Sequence, residues 1–278
     1  MSIKLSVVVI TKDEEVDLPG FIANFSVIAD EIVIIDDGST DRTAEIAEAA
    51  GPDVRFFSDP RGPDEGFCDQ RNKGVARARG EWLLQVDCDM RLSPELVAEI
   101  REAITRADMA AYRFKFIQFF MNRPALHGGL QYLNHPWLSR RAVSSWQQKL
   151  HERLIIDAPP EQIGQLKEKM FHLMDQDFSE RLRKNYQYSH LEAERLLRLG
   201  KKITIWKMIF FPLWRGFRSY VLMKGFLDGR TGAVWSLYQV TSNMVPLFIA
   251  WSAQNAGQRA DIERDIAASF ENRADAAL

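Results

Sequence analysis

The chain has 278 residues, of which 46% are hydrophobic and 27% are charged, and its net charge is −2. This composition excludes an intrinsically disordered protein, and the length allows one large domain or one domain with an appended region. Cys68 and Cys88 provide no disulfide framework, so we expect two thiols in a reducing compartment. The first apolar run is too short for a signal peptide and lacks a small-residue cleavage site, so we expect the first domain to stay in the cytosol.

The first half of the chain predicts strands that alternate with helices. Apolar, β-branched runs predict strands at residues 5–10, 31–36, 54–57 and 81–87. Helical patterns lie after each strand, with Ser39 or Thr40 predicted to cap the second helix and Ser93 the fourth. Strands this apolar indicate an α/β fold, in which helices cover both faces of a mostly parallel sheet.

Polar clusters follow three of the predicted strands, at residues 11–15, 36–40 and 87–89. In open α/β sheets, ligands bind beyond the carboxyl ends of the strands. The topology therefore predicts that these three clusters line one crevice.

Two acids, Asp87 and Asp89, follow the fourth predicted strand in LLQVDCDMRL. Carboxylates this close repel each other, so we expect a cation beside them. Oxygen ligands favour Mg²⁺ or Mn²⁺, which bridge phosphate oxygens. The Cys88 side chain should point away from the acids, which argues against a zinc site. Taken alone, the acid pair could be a solvated turn, and DDGST could be a turn before a helix.

The chain resembles the family 2 glycosyltransferases with the GT-A fold in three segments: SVVVITKDEE, ADEIVIIDDGSTDRTAEIA and FCDQRNKGVARARGEWLLQVDCDM. These segments lie within residues 4–106. Later segments are similar to the branch that adds a β-linked glucose to the inner core of bacterial lipopolysaccharide: HGG at 127–129, LHERL at 150–154 and KGFLDGRTGAVW at 224–235. The resemblance implies a GT-A catalytic domain over residues 1–165 and a helical region over residues 166–278.

The resemblance also implies roles for individual residues. Thr11 and Asp37 would hold the uracil base, and Arg71 would lie along the nucleotide. Asp87 would face the ribose or a metal-bound water, and Asp89 would bind the Mg²⁺ or Mn²⁺ that clamps the diphosphate. Met90 stands where the family usually has a third acid. The predicted nucleotide-sugar-binding residues are Thr11, Glu15, Asp37, Arg71, Asp87 and Cys88.

An inverting transfer from a UDP-sugar requires that the acceptor hydroxyl lose a proton as it attacks the sugar. The LHERL segment resembles the His-Glu pair of the lipopolysaccharide branch, which implies that Glu152 is the base and that His151 orients it or touches the acceptor. Alternatively, Glu152 pairs with Arg153 or Lys149 on a surface helix. The HGG segment either brings backbone close to the sugar or forms a plain turn; its residues are His127, Gly128 and Gly129.

Beyond about residue 164 the pattern becomes helical, basic and rich in tryptophan. Residues 201–230 contain seven Lys or Arg and one acid, and four of the seven Trp lie between residues 206 and 251. Such a mixture is typical of helices in the headgroup layer of an anionic membrane. Alternatively, these apolar residues pack against the first domain. The predicted membrane-surface residues are Lys207, Trp214, Arg215, Arg218 and Lys224. For the uncharged residues 233–251 we expect a dip into the membrane or an oligomer contact, because polar residues occupy their middle.

These features predict an inverting, metal-dependent hexosyltransferase. By resemblance it moves glucose from UDP-glucose to a lipid-linked saccharide such as the lipopolysaccharide core, at the cytoplasmic face of the inner membrane. No nucleic-acid partner is expected. One alternative is a polyprenyl phosphate acceptor, which is already an anion and needs no base. Another is a non-catalytic membrane-bound scaffold that binds sugar nucleotides.

Overall fold

The computed structural model describes residues 4–148, 152–175 and 177–275. The chain divides into two compact units, Met1–Gln176 and Asp177–Leu278. The predicted boundary between residues 165 and 166 falls within the strand Ile163–His172 of the first unit.

The first unit is built on a mixed sheet of nine strands in the order β3-β2-β1-β4-β8-β6-β11-β5, with β7 paired to β6, and β9 and β10 pair separately. Its strands are β1 (Leu5–Thr11), β2 (Glu31–Asp36), β3 (Val54–Ser58), β4 (Trp82–Val86), β5 (Met90–Arg91), β6 (Ala111–Phe120), β7 (Arg123–Ala125), β8 (Asn134–Arg140), β9 (Ser144–Gln147), β10 (Arg153–Ile156) and β11 (Ile163–His172). Its helices are α1 (Leu18–Phe25), α2 (Thr43–Ala49), α3 (Phe67–Arg77) and α4 (Pro94–Ala103).

The expected α/β fold is confirmed, and the direction of the strands changes halfway across the sheet. The strands β3, β2, β1 and β4 are parallel neighbours. The strand β8 then pairs antiparallel with both β4 and β6, while β6 and β11 are parallel. The alternating first half of the sequence therefore describes only the parallel part of the sheet.

Helices cover both faces of the parallel part. On β1, Val7 and Val9 belong to a core cluster with Phe21 of α1 and Ile100 of α4. The intervening Val8 belongs to the opposite cluster, which packs under α3. This alternation follows from the two-residue period of a strand, and burial on both faces explains why β1 is apolar throughout.

Two predicted helix starts have different outcomes. The helix α4 begins at Pro94 as predicted, and Ser93 Oγ accepts a hydrogen bond from Leu96 N at 3.1 Å. The prediction for α2 was wrong, because this helix begins at Thr43 after Arg42. Ser39 instead donates to the carboxylate of Asp36 and so belongs to the loop before the helix.

The second unit is helical. Its helices are α5 (Phe178–Arg198), α6 (Ile205–Phe217), α7 (Gly229–Asn255) and α8 (Arg259–Asp275), and a π-helical turn, Arg218–Leu222, follows α6. The side chain of Asp177 caps α5, and Gly200 has a left-handed conformation just beyond its end. Among the residues that the structure describes, no helix combines the length and the apolar character needed to cross a membrane.

Candidate active site

The carboxyl ends of β1 and β2 are joined by a buried polar pair. Thr11 and Asp36 are partners in the parallel register, and Thr11 Oγ1 donates to Asp36 Oδ1 at 2.9 Å. Asp36 also accepts from the backbone nitrogen of Ser39 at 2.8 Å and from its hydroxyl. Because Asp36 is only 2% exposed and accepts these hydrogen bonds, the first acid of DDGST shapes the loop.

Asp37 is bound by a residue that the sequence reasoning missed. Arg61 donates its backbone N–H to Asp37 Oδ1 at 2.7 Å and its Nε to Oδ2 at 2.8 Å. Burial would raise the pKa of Asp37, but the hydrogen bonds and charge of Arg61, with the charge of Lys12, hold that pKa below its ordinary value. The Arg61 guanidinium also lies over the Phe67 ring, 4.3 Å from its centroid. Asp37 is therefore an ionised acceptor in a fixed orientation.

The remaining residues of the first cluster fasten neighbouring loops. Lys12 Nζ donates to the carbonyl of Asp37 at 3.2 Å and to that of Gly38. Gly38 has φ of +73°, a conformation that glycine adopts without strain. Glu15, predicted to bind the nucleotide, accepts from the backbone nitrogen of Arg42 at 3.1 Å, at the N-terminus of α2.

The helix α3 presents the QRNKG segment, and each of its residues has an identifiable contact. Gln70 donates to the carbonyl of Asp59, and Lys73 pairs with the Asp59 carboxylate at 3.1 Å. Gly74 packs so closely on β1 that an added Cβ would lie 2.4 Å from Val8 Cγ1. Asn72 exchanges two hydrogen bonds of 2.9 Å with the backbone of Trp146 on β9. The segment thus fixes α3 both to the sheet and to β9.

Arg71 connects the end of β4 with the segment before β10. Its Nη2 lies 2.5 Å from Asp87 Oδ1, and its Nε lies 3.8 Å from Glu152 Oε1. Arg71 is 6% exposed, and its guanidinium lies 4.6 Å from the centroid of the Trp146 ring. The Trp146 ring is in turn held by a hydrogen bond to Gln85 of β4. The structure therefore brings together three predicted site residues, the carboxylates Asp87 and Glu152 on either side of the cation Arg71.

Asp89 lies beside a histidine that the sequence reasoning also missed. His172 Nε2 is 3.0 Å from Asp89 Oδ2. The cause is the pairing of β11 with β5, which aligns His172 with Met90, the residue after Asp89. The other oxygen, Asp89 Oδ1, is buried and has no hydrogen-bond partner in the described part of the chain. A buried carboxylate oxygen without a partner, next to an imidazole nitrogen, fits a divalent cation as ligand.

Of the five remaining residues predicted for this site, four lie within the described part of the chain. Cys88 is 3% exposed within the hydrophobic core, and burial raises the pKa of its thiol, so any contact to a nucleotide would come from its backbone. Gly128 and Gly129 have φ of +72° and +99° in a turn after β7, next to His127. His151 lies outside the described residues. In the described residues, no three His, Cys, Asp or Glu are grouped to hold a metal on their own.

Asp37 and Asp89 follow strands on either side of β1. Asp37 follows β2 directly, and Asp89 lies three residues beyond β4. Both strands pair parallel with β1, so their carboxyl ends lie at the same edge of the sheet, about 10 Å apart for two strand spacings. This edge of the sheet therefore carries an ionised acceptor beyond β2, and a candidate cation site and a carboxylate cluster beyond β4.

Two solved structures resemble this chain. The structure of S. aureus TarS 1–349 is 17% identical in sequence, covers 92% of this chain and 93% of its own, and has a TM-score of 0.45. Glucosyl-3-phosphoglycerate synthase from Mycobacterium tuberculosis, in complex with Mn²⁺ and uridine-diphosphate-glucose, is 23% identical, covers 41% of this chain and 44% of its own, and has a TM-score of 0.35.

Relatives in sequence span most of the chain. The lipopolysaccharide core biosynthesis glycosyltransferase LpsC of Rhizobium meliloti is 26% identical over 246 residues, which are 84% of this chain and 88% of LpsC. An uncharacterised glycosyltransferase of Rickettsia conorii is 25% identical over 244 residues, which are 84% of this chain and 85% of that protein. The model of glycosyl transferase family 2 matches residues 6–159, more than half of the 278 residues, and the chain belongs to this family.

Proposed function

We propose that the protein is an inverting, cation-dependent hexosyltransferase that moves a sugar, glucose in the first instance, from a UDP-sugar to a lipid-linked saccharide such as the lipopolysaccharide core. The observation that carries the proposal is the pairing of a candidate cation site, Asp89 with His172, and a carboxylate cluster, Asp87 and Glu152 around Arg71, at one edge of the sheet. Sugar transfer to a hydroxyl needs stabilisation of the leaving diphosphate and removal of the acceptor proton. The candidate cation site would supply the first, and the carboxylate cluster the second.

The first part concerns the leaving diphosphate. Asp89 and His172 would hold Mg²⁺ or Mn²⁺ through Asp89 Oδ1 and the imidazole. When bound, such a cation stabilises the negative charge that develops on the diphosphate as the sugar leaves. Asp37, kept ionised by Arg61, accepts a hydrogen bond from the uracil N3–H. Asp87 faces the ribose, and its contact with Arg71 fixes its orientation.

The second part concerns the acceptor. Glu152 takes the proton of the attacking hydroxyl, on the face of the sugar opposite the diphosphate, which produces inversion. The Glu152 side chain is 24% exposed, which allows an acceptor from solvent to approach it. Arg71 offsets the repulsion between Glu152 and Asp87 and keeps both carboxylates in place. Among the described residues, Glu152 pairs with Arg71, and Lys149, one of the alternative partners considered from the sequence, lies outside them.

The nature of the acceptor is supported by the relative LpsC and by the helical unit. LpsC is named for lipopolysaccharide core biosynthesis, and its similarity covers 84% of this chain. On α6, five large apolar side chains recur on one face and are each at least 50% exposed: Trp206, Phe210, Leu213, Trp214 and Phe217. Apolar and aromatic surface of this extent, flanked by Arg218 and Lys224, suits an anionic membrane on the cytoplasmic side, where a lipid-linked acceptor is held.

The test is transfer itself. Purified protein is incubated with a panel of UDP-sugars, Mg²⁺ or Mn²⁺, and extracted lipopolysaccharide core that lacks its outer sugars, and the product is analysed by mass spectrometry. We expect one hexose to be added, with a new β-linkage visible by NMR, and expect the addition to stop with EDTA. Asp89→Asn should abolish both transfer and cation-dependent UDP binding. Binding of UDP without transfer to the core or to any polyprenyl phosphate would instead support the scaffold alternative.

A further inference from the structure

The helical unit contains a cavity of about 510 Å³ among α5, α6 and α7. A stripe of residues from each helix lines it, and the stripe on α6 consists of Lys207, Phe211 and Arg215, four residues apart. The cavity falls within the range of about 300 to 1,000 Å³ that is usual for small-molecule sites. Lys207 and Arg215, which the sequence predicts for the membrane surface, both line this cavity.

The cavity is positively charged. Its lining contains three cations, Arg195, Lys207 and Arg215, and one carboxylate, Glu192. Arg195 and Glu192 bind each other, with Nη2 of Arg195 2.6 Å from Oε1 of Glu192. Lys207 and Arg215 are half-buried and have no acidic partner among the residues that the structure describes. Two positive charges in a concave site favour a ligand with a negative group.

The neutral part of the lining fits a sugar ring better than a bare ion. Ser189 is 3% exposed, and its Oγ is buried with no hydrogen-bond partner in the described part of the chain. A buried hydroxyl without a partner costs free energy that a ligand would recover. Amides of Asn185 and Asn243 also line the cavity, as does the Tyr188 ring. Amides, a hydroxyl and an aromatic face are the groups that bind the hydroxyls and the apolar face of a pyranose.

We propose that this cavity binds an anionic saccharide, a sugar ring that bears a phosphate or a carboxylate group. Lys207 and Arg215 pair with the anionic group, and Ser189 binds a sugar hydroxyl. The site goes beyond the proposed transfer chemistry, because it gives the helical unit a contact of its own with a charged sugar. It rests on the proposed function only for the assignment of that sugar to the acceptor.

The experiment measures binding by calorimetry on the full chain, without UDP-sugar or divalent cation. The probes are glucose 6-phosphate and glucuronate, with glucose and inorganic phosphate as controls. We expect one of the two anionic sugars to bind at least about tenfold more tightly than both controls. The double variant Lys207→Gln, Arg215→Gln should lose at least about tenfold, whereas Arg198→Gln, Lys202→Gln, which removes two exposed cations outside the cavity, should bind within about twofold of the wild type.

A second measurement needs no variant. Hydrogen–deuterium exchange of the wild type should show that the anionic sugar protects residues 185–196, 207–215 and 238–247. The Asp89→Asn variant should bind the anionic sugar as tightly as the wild type does. Loss of sugar transfer in this variant would therefore not count against the anionic-sugar site. The proposal is overturned if inorganic phosphate binds as tightly as the tighter-binding of the two anionic sugars, or if neither anionic sugar binds. It is also overturned if a folded double variant binds like the wild type, or if protection falls outside these segments.

Discussion

Arg71 Nη2 lies 2.5 Å from Asp87 Oδ1, and this contact holds the acid after β4 against the helix α3. The same guanidinium forms a longer ion pair with Glu152, whose Oε1 lies 3.8 Å from the Arg71 Nε. A planar guanidinium can do this because its donors are fixed in a fork, which a single ammonium group cannot reproduce. We therefore expect activity to depend on the shape of the guanidinium as well as on its positive charge.

We expect Arg71→Lys to lower kcat/KM for sugar transfer by about 10²-fold, because a lysine keeps the charge but cannot contact Asp87 and Glu152 together. Stability should change less than activity, since the variant keeps the positive charge between the two carboxylates. The matched control is Arg77→Lys on the same helix, where the guanidinium pairs with Asp59. Steady-state kinetics with varied donor and acceptor would check this. Equal activities of the two variants would show that Arg71 has no special role in sugar transfer.

The role of Glu152 can be separated from donor binding. We expect Glu152→Gln to lower kcat by about 10² to 10⁴-fold, the usual contribution of a general base, while the Kd for the UDP-sugar stays within about twofold. Glu161→Gln, an exposed glutamate on the same unit, should leave both quantities unchanged. If Glu152→Gln retained full activity with a polyprenyl phosphate, the acceptor would already be an anion, and the polyprenyl alternative would replace the lipopolysaccharide assignment.

The sequence predicted the parallel half of the sheet because the signals there are local. The apolar runs of β1, β2 and β4 and the cap at Ser93 each lie within a few residues, and all were found at the expected places. His172 and Arg61 were missed for the opposite reason. His172 meets Asp89 across 83 residues through the β5–β11 pairing, and Arg61 meets Asp37 across 24 residues through a loop. Neither residue stands in a motif, so only the tertiary fold reveals it.

A pH dependence of stability follows from the pair of Asp37 and Arg61. The pKa of Asp37 lies below its ordinary value of 3.8 in the folded state, so the pair stabilises the fold above that value, and the contribution is lost as the pH falls through the folded pKa. We expect Asp37→Asn to lower the free energy of unfolding by about 2 kcal/mol at pH 7 and at pH 5. The difference between wild type and variant should shrink below about pH 3.8.

The measurement for Asp37 is urea unfolding at pH 7, 5, 3.5 and 2.5, followed by circular dichroism. Arg61→Gln should show the same pH dependence, and the double variant should cost no more than either single change, since both remove one interaction. A difference between wild type and Asp37→Asn that stays constant down to pH 2.5 would show that the charge of Asp37 does not stabilise the fold.

The close approach of α3 to β1 predicts a cost for any side chain at Gly74. An added Cβ would lie 2.4 Å from Val8 Cγ1, so Gly74→Ala should destabilise the protein by about 1 to 3 kcal/mol through overpacking. Because α3 carries Arg71, transfer activity should fall as well, even at a temperature where the variant is folded. Gly62→Ala is the control, since its nearest neighbour would be 3.8 Å away. Thermal unfolding of both variants would decide whether this contact is as tight as described.

The exposed face of α6 predicts binding to anionic membranes. Trp206, Phe210 and Trp214 are 69%, 59% and 51% exposed, so a lipid surface can bury them without any rearrangement of the helix. We expect the triple change of these residues to Ser to weaken sedimentation with phosphatidylglycerol vesicles by at least about tenfold. The double change Leu182→Ser, Leu191→Ser, which removes exposed apolar residues from α5, should have a much smaller effect.

The positive charges beside α6 should make the protein prefer anionic vesicles to neutral ones. The cations Arg218 and Lys224 attract anionic headgroups, each worth about 1 kcal/mol near the surface, so changing both to Gln should weaken binding by about 10- to 30-fold. Wild-type binding should also fall at 0.5 M salt, because screening shortens the reach of exposed charges. Equal sedimentation on phosphatidylcholine and phosphatidylglycerol would rule out the electrostatic contribution. If the serine variant bound normally, the aromatic face of α6 would have to be assigned to a protein partner, because insertion into lipid requires those side chains.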